Sequence, residues 1–392
     1  MHVAILGAGP VGLEAALAAL DAGWPFTVFE SASHPGGHVA MWAHVRLFTP
    51  WSMIVSDRMA RHLKAAGVHP PAGEYCPTGA ELVRDLLEPL AHVSGLEGSI
   101  AYDTRVLGVS REGLLKHEEI GTGRRVERPF RLLVRGPKGV TTASAGLVLD
   151  CTGTYASPNA AGDGGIPAPG EEELGDRILR RLPDLARDWA DWRDRTILLL
   201  GSGKSAQAAV RDFSTLLPSA PATRVIWSVR NPNPDWGEIS EDPLAERQAL
   251  ADAAKRAARG EVPGFRVEAG STVDRFSADG QRVRVRLHGV NDLEVVVDKV
   301  LSLTGFVPDA TLYRQLQVHE CYATTAPMEL AAQLLGAASG DCLQPPSYGI
   351  AALRSPEPNF FILGAKSYGR NSQFLMRSGY DQVDEVAAAY QL

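Results

Sequence analysis

The chain is 392 residues long, 45% hydrophobic and 22% charged, with a formal net charge of −7. This composition suits a globular protein with enough chain for two or three domains, and its acidic balance argues against nucleic acid as a partner. No apolar stretch approaches the roughly 18 residues of a membrane span, and the chain enters a strand-like segment at once, so neither a membrane anchor nor a signal peptide is expected.

That first segment lies in residues 2–14, HVAILGAGPVGLE. An apolar run leads into Gly7-x-Gly9-x-x-Gly12 and an alanine-rich helix predicted over Val11–Ala22. After a strand, the three glycines act differently. The first permits a tight turn, the second lets a pyrophosphate approach the backbone, and the third lets helix and strand pack closely. A second strand, Phe26–Phe29, ends at Glu30. An acid about twenty residues past such a motif accepts the ribose hydroxyls of a dinucleotide. His34, His38 and His44 follow without ligand spacing, so no metal is expected.

Helices are predicted over about 52–66 and 78–93 from their apolar periodicity. Strands at Ile100–Val109 and Phe130–Val134 then form a meander around a polar insert, Lys116–Glu127, in which Gly123-Arg124-Arg125 reads as solvated surface. Another buried strand closes in Thr152-Gly153, and the Gly/Pro-rich stretch Ser157–Pro169 reads as a hinge.

Residues 198–206, LLLGSGKSA, pose a choice between a triphosphate loop and a second dinucleotide turn. The triphosphate loop requires glycine at position 198, which is Leu198 inside an apolar run. What remains is Gly201-x-Gly203-x-x-Ala206 between a strand and a helix predicted over Ala206–Leu217. A charged helix over about 243–259 and a hairpin-like pair, Val283–Leu287 and Leu293–Leu303, lead to a second Thr-Gly, Thr304-Gly305. A strand at Phe360–Leu363 runs into Gly364, and a last helix is predicted over 372–390. Cys76, Cys151, Cys321 and Cys342 form no CxxC pair, which argues against zinc and a redox dithiol and points to the thiols of a cytoplasmic protein.

Three features resemble the two-dinucleotide-binding-domain flavoproteins, the superfamily of thioredoxin-reductase-like enzymes and flavin-containing (class B) monooxygenases. They are the first glycine motif with Glu30 and Gly36-Gly37, the nested motif at Gly201, and the paired strand ends LVLDCTGT (147–154) and VLSLTGF (300–306). The resemblance covers essentially the whole chain. It implies an α/β fold of two Rossmann-like domains, with an NADPH domain (154–304) inserted in an FAD domain (1–153 and 305–392). FAD would lie along Gly7, Gly9, Pro10, Gly12, Glu30, Gly36 and Gly37, with Arg46, Gly153, Gly364 and Gln373 completing its site. The nicotinamide would lie along Gly201, Gly203, Lys204, Ser205 and Ala206. At the end of the next strand an acid would select NADH, whereas Ser228 and Arg230 suit the 2′-phosphate of NADPH.

Departures from the family bear on the reaction. Position 11, where a cysteine has been suggested to act in reductases of small disulfides, is Val11, and no cysteine pair is present. The monooxygenase fingerprint FxGxxxHxxx(F/Y) is absent, since 152–160 reads TGTYASPNA. The usual Gly-Asp after the last strand is Gly364-Ala365-Lys366-Ser367, which leaves backbone or Ser367 to hold the ribityl chain. Segment Trp42–Ser52 is expected beside the isoalloxazine, its aromatics excluding water, with Arg46, Thr49, Trp51, Lys366 and Asn371 as candidate catalytic residues.

Two chemistries compete for the second half-reaction. Reduced flavin could form a C4a-hydroperoxide and oxygenate a soft nitrogen or sulfur of a small-molecule substrate, or it could reduce a disulfide, quinone or protein acceptor. The missing cysteine pair and missing Gly-Asp favour oxygenation; a flavin-binding redox sensor is a third reading. The oligomeric state is not fixed by these residues, although homodimers are common in the family.

Overall fold

Local sequence and burial account for the order of elements in the computed structural model, which describes residues 1–290, 292–336 and 349–390. Cys342 lies outside the described residues. The chain opens with β1 (Val3–Leu6), α1 (Pro10–Asp21), β2 (Phe26–Phe29) and α2 (Asp57–Ala65). Next come β3 (Ile100–Ala101), β4 (Arg105–Arg111), β5 (Phe130–Gly136), β6 (Gly139–Ala145) and β7 (Leu147–Asp150). After β8 (Ile178–Leu179) stand β9 (Thr196–Leu200), α3 (Lys204–Leu216), β10 (Arg224–Val229), α4 (Ala245–Ala258) and β11 (Phe265–Ala269). The last strands are β12 (Ser271–Asp279), β13 (Arg282–Gly289), β14 (Leu293–Val297), β15 (Lys299–Ser302) and β16 (Phe360–Ile362), followed by α5 (Met376–Tyr390). These elements fall into two units: Met1–Ala43, Pro50–Ser157 and Val307–Leu392 form the first, and His44–Thr49 with Pro158–Phe306 form the second.

In the first unit five strands make a parallel sheet in the order β16-β7-β1-β2-β3. β1 is buried throughout because both its faces are covered. On one face α1, rich in Ala and Leu, packs against α5. Ala4, Leu6, Val148 and Ile362 meet Phe130, Leu132 and Val134 of the antiparallel meander β4-β5-β6 on the other. The alternating burial of β5 is the expected pattern for such a one-sided sheet.

The second unit repeats this plan. Its parallel sheet runs β11-β10-β9-β15-β8, with α3 and α4 contributing to the core on one face and the antiparallel β12-β13-β14 on the other.

Two expectations need correction. The run Leu293–Leu303 is two strands, not one arm of a hairpin: β14 pairs antiparallel with β13, and β15 runs parallel to β9. The break is at Asp298, whose amide donates to Thr196 O at 2.8 Å and whose carboxylate accepts from Thr196 N at 2.8 Å. The stretch read as a hinge holds the change from the first unit to the second at Ser157–Pro158, and beyond it the buried Glu171 carboxylate accepts from Ala161 N (2.8 Å), Ala168 N (2.9 Å) and Arg180 Nη1 (2.9 Å). Arg125 is not solvated; it is 1% exposed and donates to Glu357 at 2.8 Å, as Arg111 does at 2.7 Å. Carbonyls of Leu115 and Glu118 accept from Arg125 Nη1, so this one guanidinium ties the polar insert to Glu357, ahead of β16.

Candidate functional site: two glycine turns

At the end of β1, Gly7 turns the chain with φ +96°, and its amide donates to Phe29 O at 2.8 Å. A Cβ at Gly12 would lie 1.9 Å from Gly7 O, so this glycine is demanded by helix-on-strand packing. Gly9 differs: its backbone is ordinary extended and a Cβ there would meet nothing within 4 Å. The open space stands at the N-terminus of α1, whose first turn has no side-chain cap and begins with Pro10. Free amides around an open concavity suit a phosphate.

Glu30, 6% exposed, reaches back to this turn. Its carboxylate accepts from Ala8 N at 2.7 Å and Ala32 N at 2.8 Å, which fixes it beside the open space. Gly36, at φ +70°, donates its amide to Ala8 O at 2.9 Å. A Cβ at Gly37 would stand 2.5 Å from Ala32 Cβ and 3.3 Å from Glu30 Oε1, and one at Gly36 2.6 Å from Leu87 Cδ1, so each glycine is required by close packing. Gly153 at φ +67° again borders open space.

The second turn repeats the division of labour. Gly201 has φ +107°, and a Cβ there would lie 2.3 Å from Leu303 O. Gly203 borders open space, while Ala206 is fully buried under the sheet. Lys204 begins α3, Ser205 is exposed beside it, and Trp227 Nε1 donates to Gly201 O at 2.7 Å.

No family model matches the chain. Bacillithiol disulfide reductase Bdr from Bacillus cereus superposes with a TM-score of 0.69 at 17% identity, over 99% of this chain and 98% of that one. The fold is that of the two-dinucleotide-binding-domain flavoproteins. Another protein of this fold, the ornithine N-hydroxylase of Kutzneria sp. 744 in its structure with reduced FAD, NADP⁺ and L-ornithine, has a TM-score of 0.66 at 16% identity, covering 100% and 98% of the two chains. A curated relative, Flavin-containing monooxygenase FMO GS-OX-like 3 of Arabidopsis thaliana, is 26% identical over 234 residues, 54% of this chain and 48% of that protein. The match thus spans about half the length of that relative.

Several residues of this flavoprotein fold stand elsewhere than expected. Ser228 does not present its hydroxyl outward: it is buried and paired with Ser271 Oγ at 2.7 Å, leaving exposed Arg230 as the polar group past β10. Lys366 is buried, and its ammonium donates to Asp150 Oδ2 at 2.7 Å and Thr152 Oγ1 at 3.1 Å. Ser367 is also internal, donating to Gly364 O and accepting from Gln382 Nε2, both at 2.8 Å. Gly364 keeps a positive φ of +73° but gives its amide to Gln382 Oε1 at 2.8 Å.

The aromatic segment is divided. Trp42 packs on Gly79 and Trp51, 6% exposed, stands in the first unit, whereas His44–Thr49, with half-buried Arg46 and buried Thr49, belongs to the second. Asn371 accepts from Gln373 N at 2.9 Å in a turn ahead of α5, and the Gln373 side chain is exposed.

Val11 fills the first turn of α1, and Cβ atoms at Gly364 and Gly379 would stand 3.2 and 2.5 Å from its Cγ2. Cys151, just behind Gly7, has its thiol pushed well above the ordinary range by desolvation and by the Asp150 carboxylate. Cys321 goes the other way, its thiol lowered by hydrogen bonds from Thr324 and Ala323. Sequence reasoning missed Gln207, which is 2% exposed. The available signal was an amide one helical turn after Lys204, on the same face of α3.

Proposed function

We propose that the chain is an FAD- and NADPH-dependent oxidoreductase, with FAD at the Gly9 turn and NADPH at the Gly203 turn. The open cradles at these two glycines, each at an uncapped helix N-terminus, support this reading. Glu30 takes the adenosine ribose and Arg230 the 2′-phosphate. When bound, the flavin supplies a two-electron carrier; the residues of the chain bind it, orient it and keep water away.

Within that class we favour a monooxygenase. The overall reaction consumes NADPH, a proton and dioxygen, places one oxygen on a soft nitrogen or sulfur of a small-molecule substrate, and releases NADP⁺ and water. The observation that carries this choice is at the first turn of α1, where Val11 occupies the position suited to a reactive thiol and the neighbouring Cys151 is held protonated. Likeness to a flavin-containing monooxygenase over 234 residues supports it further. A reductase of disulfides or quinones is the second reading, supported by the likeness of the fold to bacillithiol disulfide reductase Bdr.

Following NADPH, oxygen, product and hydrogen peroxide together, with a panel of amines and thioethers, separates the two. Oxygenation predicts product formed in step with NADPH and oxygen consumption. Anaerobic turnover with a disulfide or quinone, without oxygenated product, would establish the reductase.

A further inference from the structure

Gln207 lies on α3 one turn after Lys204, and its amide is fully engaged. Nε2 donates to Ser202 O at 3.0 Å, inside the second glycine turn, and to Trp236 O at 2.9 Å. Oε1 accepts from Lys204 Nζ at 3.1 Å. Two carbonyls and one ammonium require two donors and one acceptor on a single side chain, which a glutamine offers and a carboxylate does not.

The carbonyl at Trp236 belongs to the loop that leaves β10 through Arg230. This loop, residues 230–237, turns on Asn231, whose side chain accepts from Asn233 N at 3.0 Å, and on Asp235, which accepts from Gly237 N at 3.0 Å. Trp236 and Gly237 both stand at φ +60°, and the Trp236 ring lies 4.7 Å from that of Trp227. Trp227 in turn holds Gly201 O. One end of the loop is therefore fixed by β10 and the other by Gln207.

We propose that Gln207 is the positioning residue for selection of a 2′-phosphorylated dinucleotide. It couples the glycine turn that receives the pyrophosphate to the loop that carries Arg230, so that the guanidinium meets the 2′-phosphate when the pyrophosphate is seated. The proposal rests on the assignment of Arg230 to that phosphate. It extends the assignment to a buried residue that bonds the glycine turn and the Arg230 loop.

The test is equilibrium binding of NADP⁺ and NAD⁺ to the holoprotein, read by titration calorimetry and by the fluorescence of Trp227 and Trp236. Gln207→Glu keeps the shape of the side chain but sets a carboxylate against two carbonyls; Gln207→Met removes the polar contacts. Either should lower the ratio of NADP⁺ to NAD⁺ affinity about tenfold, the size of one charge-assisted hydrogen bond. The ratio is insensitive to a misfolded fraction, since both ligands report on the same folded molecules. In an Arg230→Ala background the same changes should leave the ratio where it is. Equal weakening of both ligands, with the wild-type ratio retained, overturns the role of Gln207. A wild-type protein with no preference for NADP⁺ overturns the Arg230 assignment and this inference together.

Discussion

The ammonium of Lys366 lies 2.7 Å from the carboxylate of Asp150, and both side chains are closed to solvent. The pair joins the end of β7 to the turn after β16, and Thr152 Oγ1, just past β7, also donates to Asp150 at 2.6 Å. Breaking a buried ion pair from one side leaves an uncompensated charge and costs about 3–5 kcal/mol. Lys366→Met should destabilise the protein by that amount in urea unfolding, and Lys366→Met combined with Asp150→Leu should recover most of it. A single variant as stable as wild type would show that the pair is dispensable.

Gly9 and Gly12 should fail in different ways. Gly9→Ala meets no protein atom, so the variant should purify with little FAD yet melt at the temperature of wild-type apoprotein. Gly12→Ala would drive a methyl onto Gly7 O and should lower the melting temperature itself. Flavin absorbance and a thermal melt on both proteins check this; full FAD content in Gly9→Ala would remove the cradle assignment.

Arg230 and Ser228 are separable as well. Arg230→Ala removes a charge-assisted contact worth about 1.5–3 kcal/mol, so kcat/KM for NADPH should fall at least about tenfold while NADH changes little. Ser228→Ala should leave that preference intact, because its hydroxyl is already spent on Ser271. Equal losses for both nucleotides would make Arg230 a structural residue.

Acid should act on the second unit through Asp242, which donor groups surround. Burial, the largest single influence, raises its pKa, but hydrogen bonds from Arg247 and the Leu244 amide, with the Arg247 charge, bring it net below the ordinary 3.8. The folded value being the lower one, this stabilisation is complete above the unfolded pKa and is lost as pH falls through the folded value. Asp242→Asn should therefore weaken the protein at neutral pH and reduce the further loss of stability on going from about pH 5 to about pH 3. Urea midpoints at both pH values, wild type against variant, measure it.

Thiols provide the sharpest check on the reaction. Replacing Cys76, Cys151 or Cys342 by Ser should leave NADPH-driven flavin reduction and turnover largely intact, apart from packing losses. Cys321→Ser is the discriminating variant because hydrogen bonds from Thr324 and Ala323 lower this thiol. Preserved oxygenation in Cys321→Ser supports the monooxygenase; loss of acceptor reduction with flavin reduction preserved would restore the reductase.

Sequence alone was enough for the two glycine turns and the layered fold around them. Gly7 and Gly201 adopt positive φ at strand ends, and Gly12 and Ala206 pack a helix on its own strand. These are constraints between residues a few positions apart, so spacing and residue type express them. Tertiary structure alone decided the fate of the polar side chains. Lys366 finds Asp150 across 216 positions and Arg125 finds Glu357 across 232. Ser228 is spent on Ser271, 43 residues away, and Gln207 reaches Trp236 across 29. A buried polar group must be satisfied by whatever the fold brings within about 3 Å, and no local pattern records which distant residue that will be.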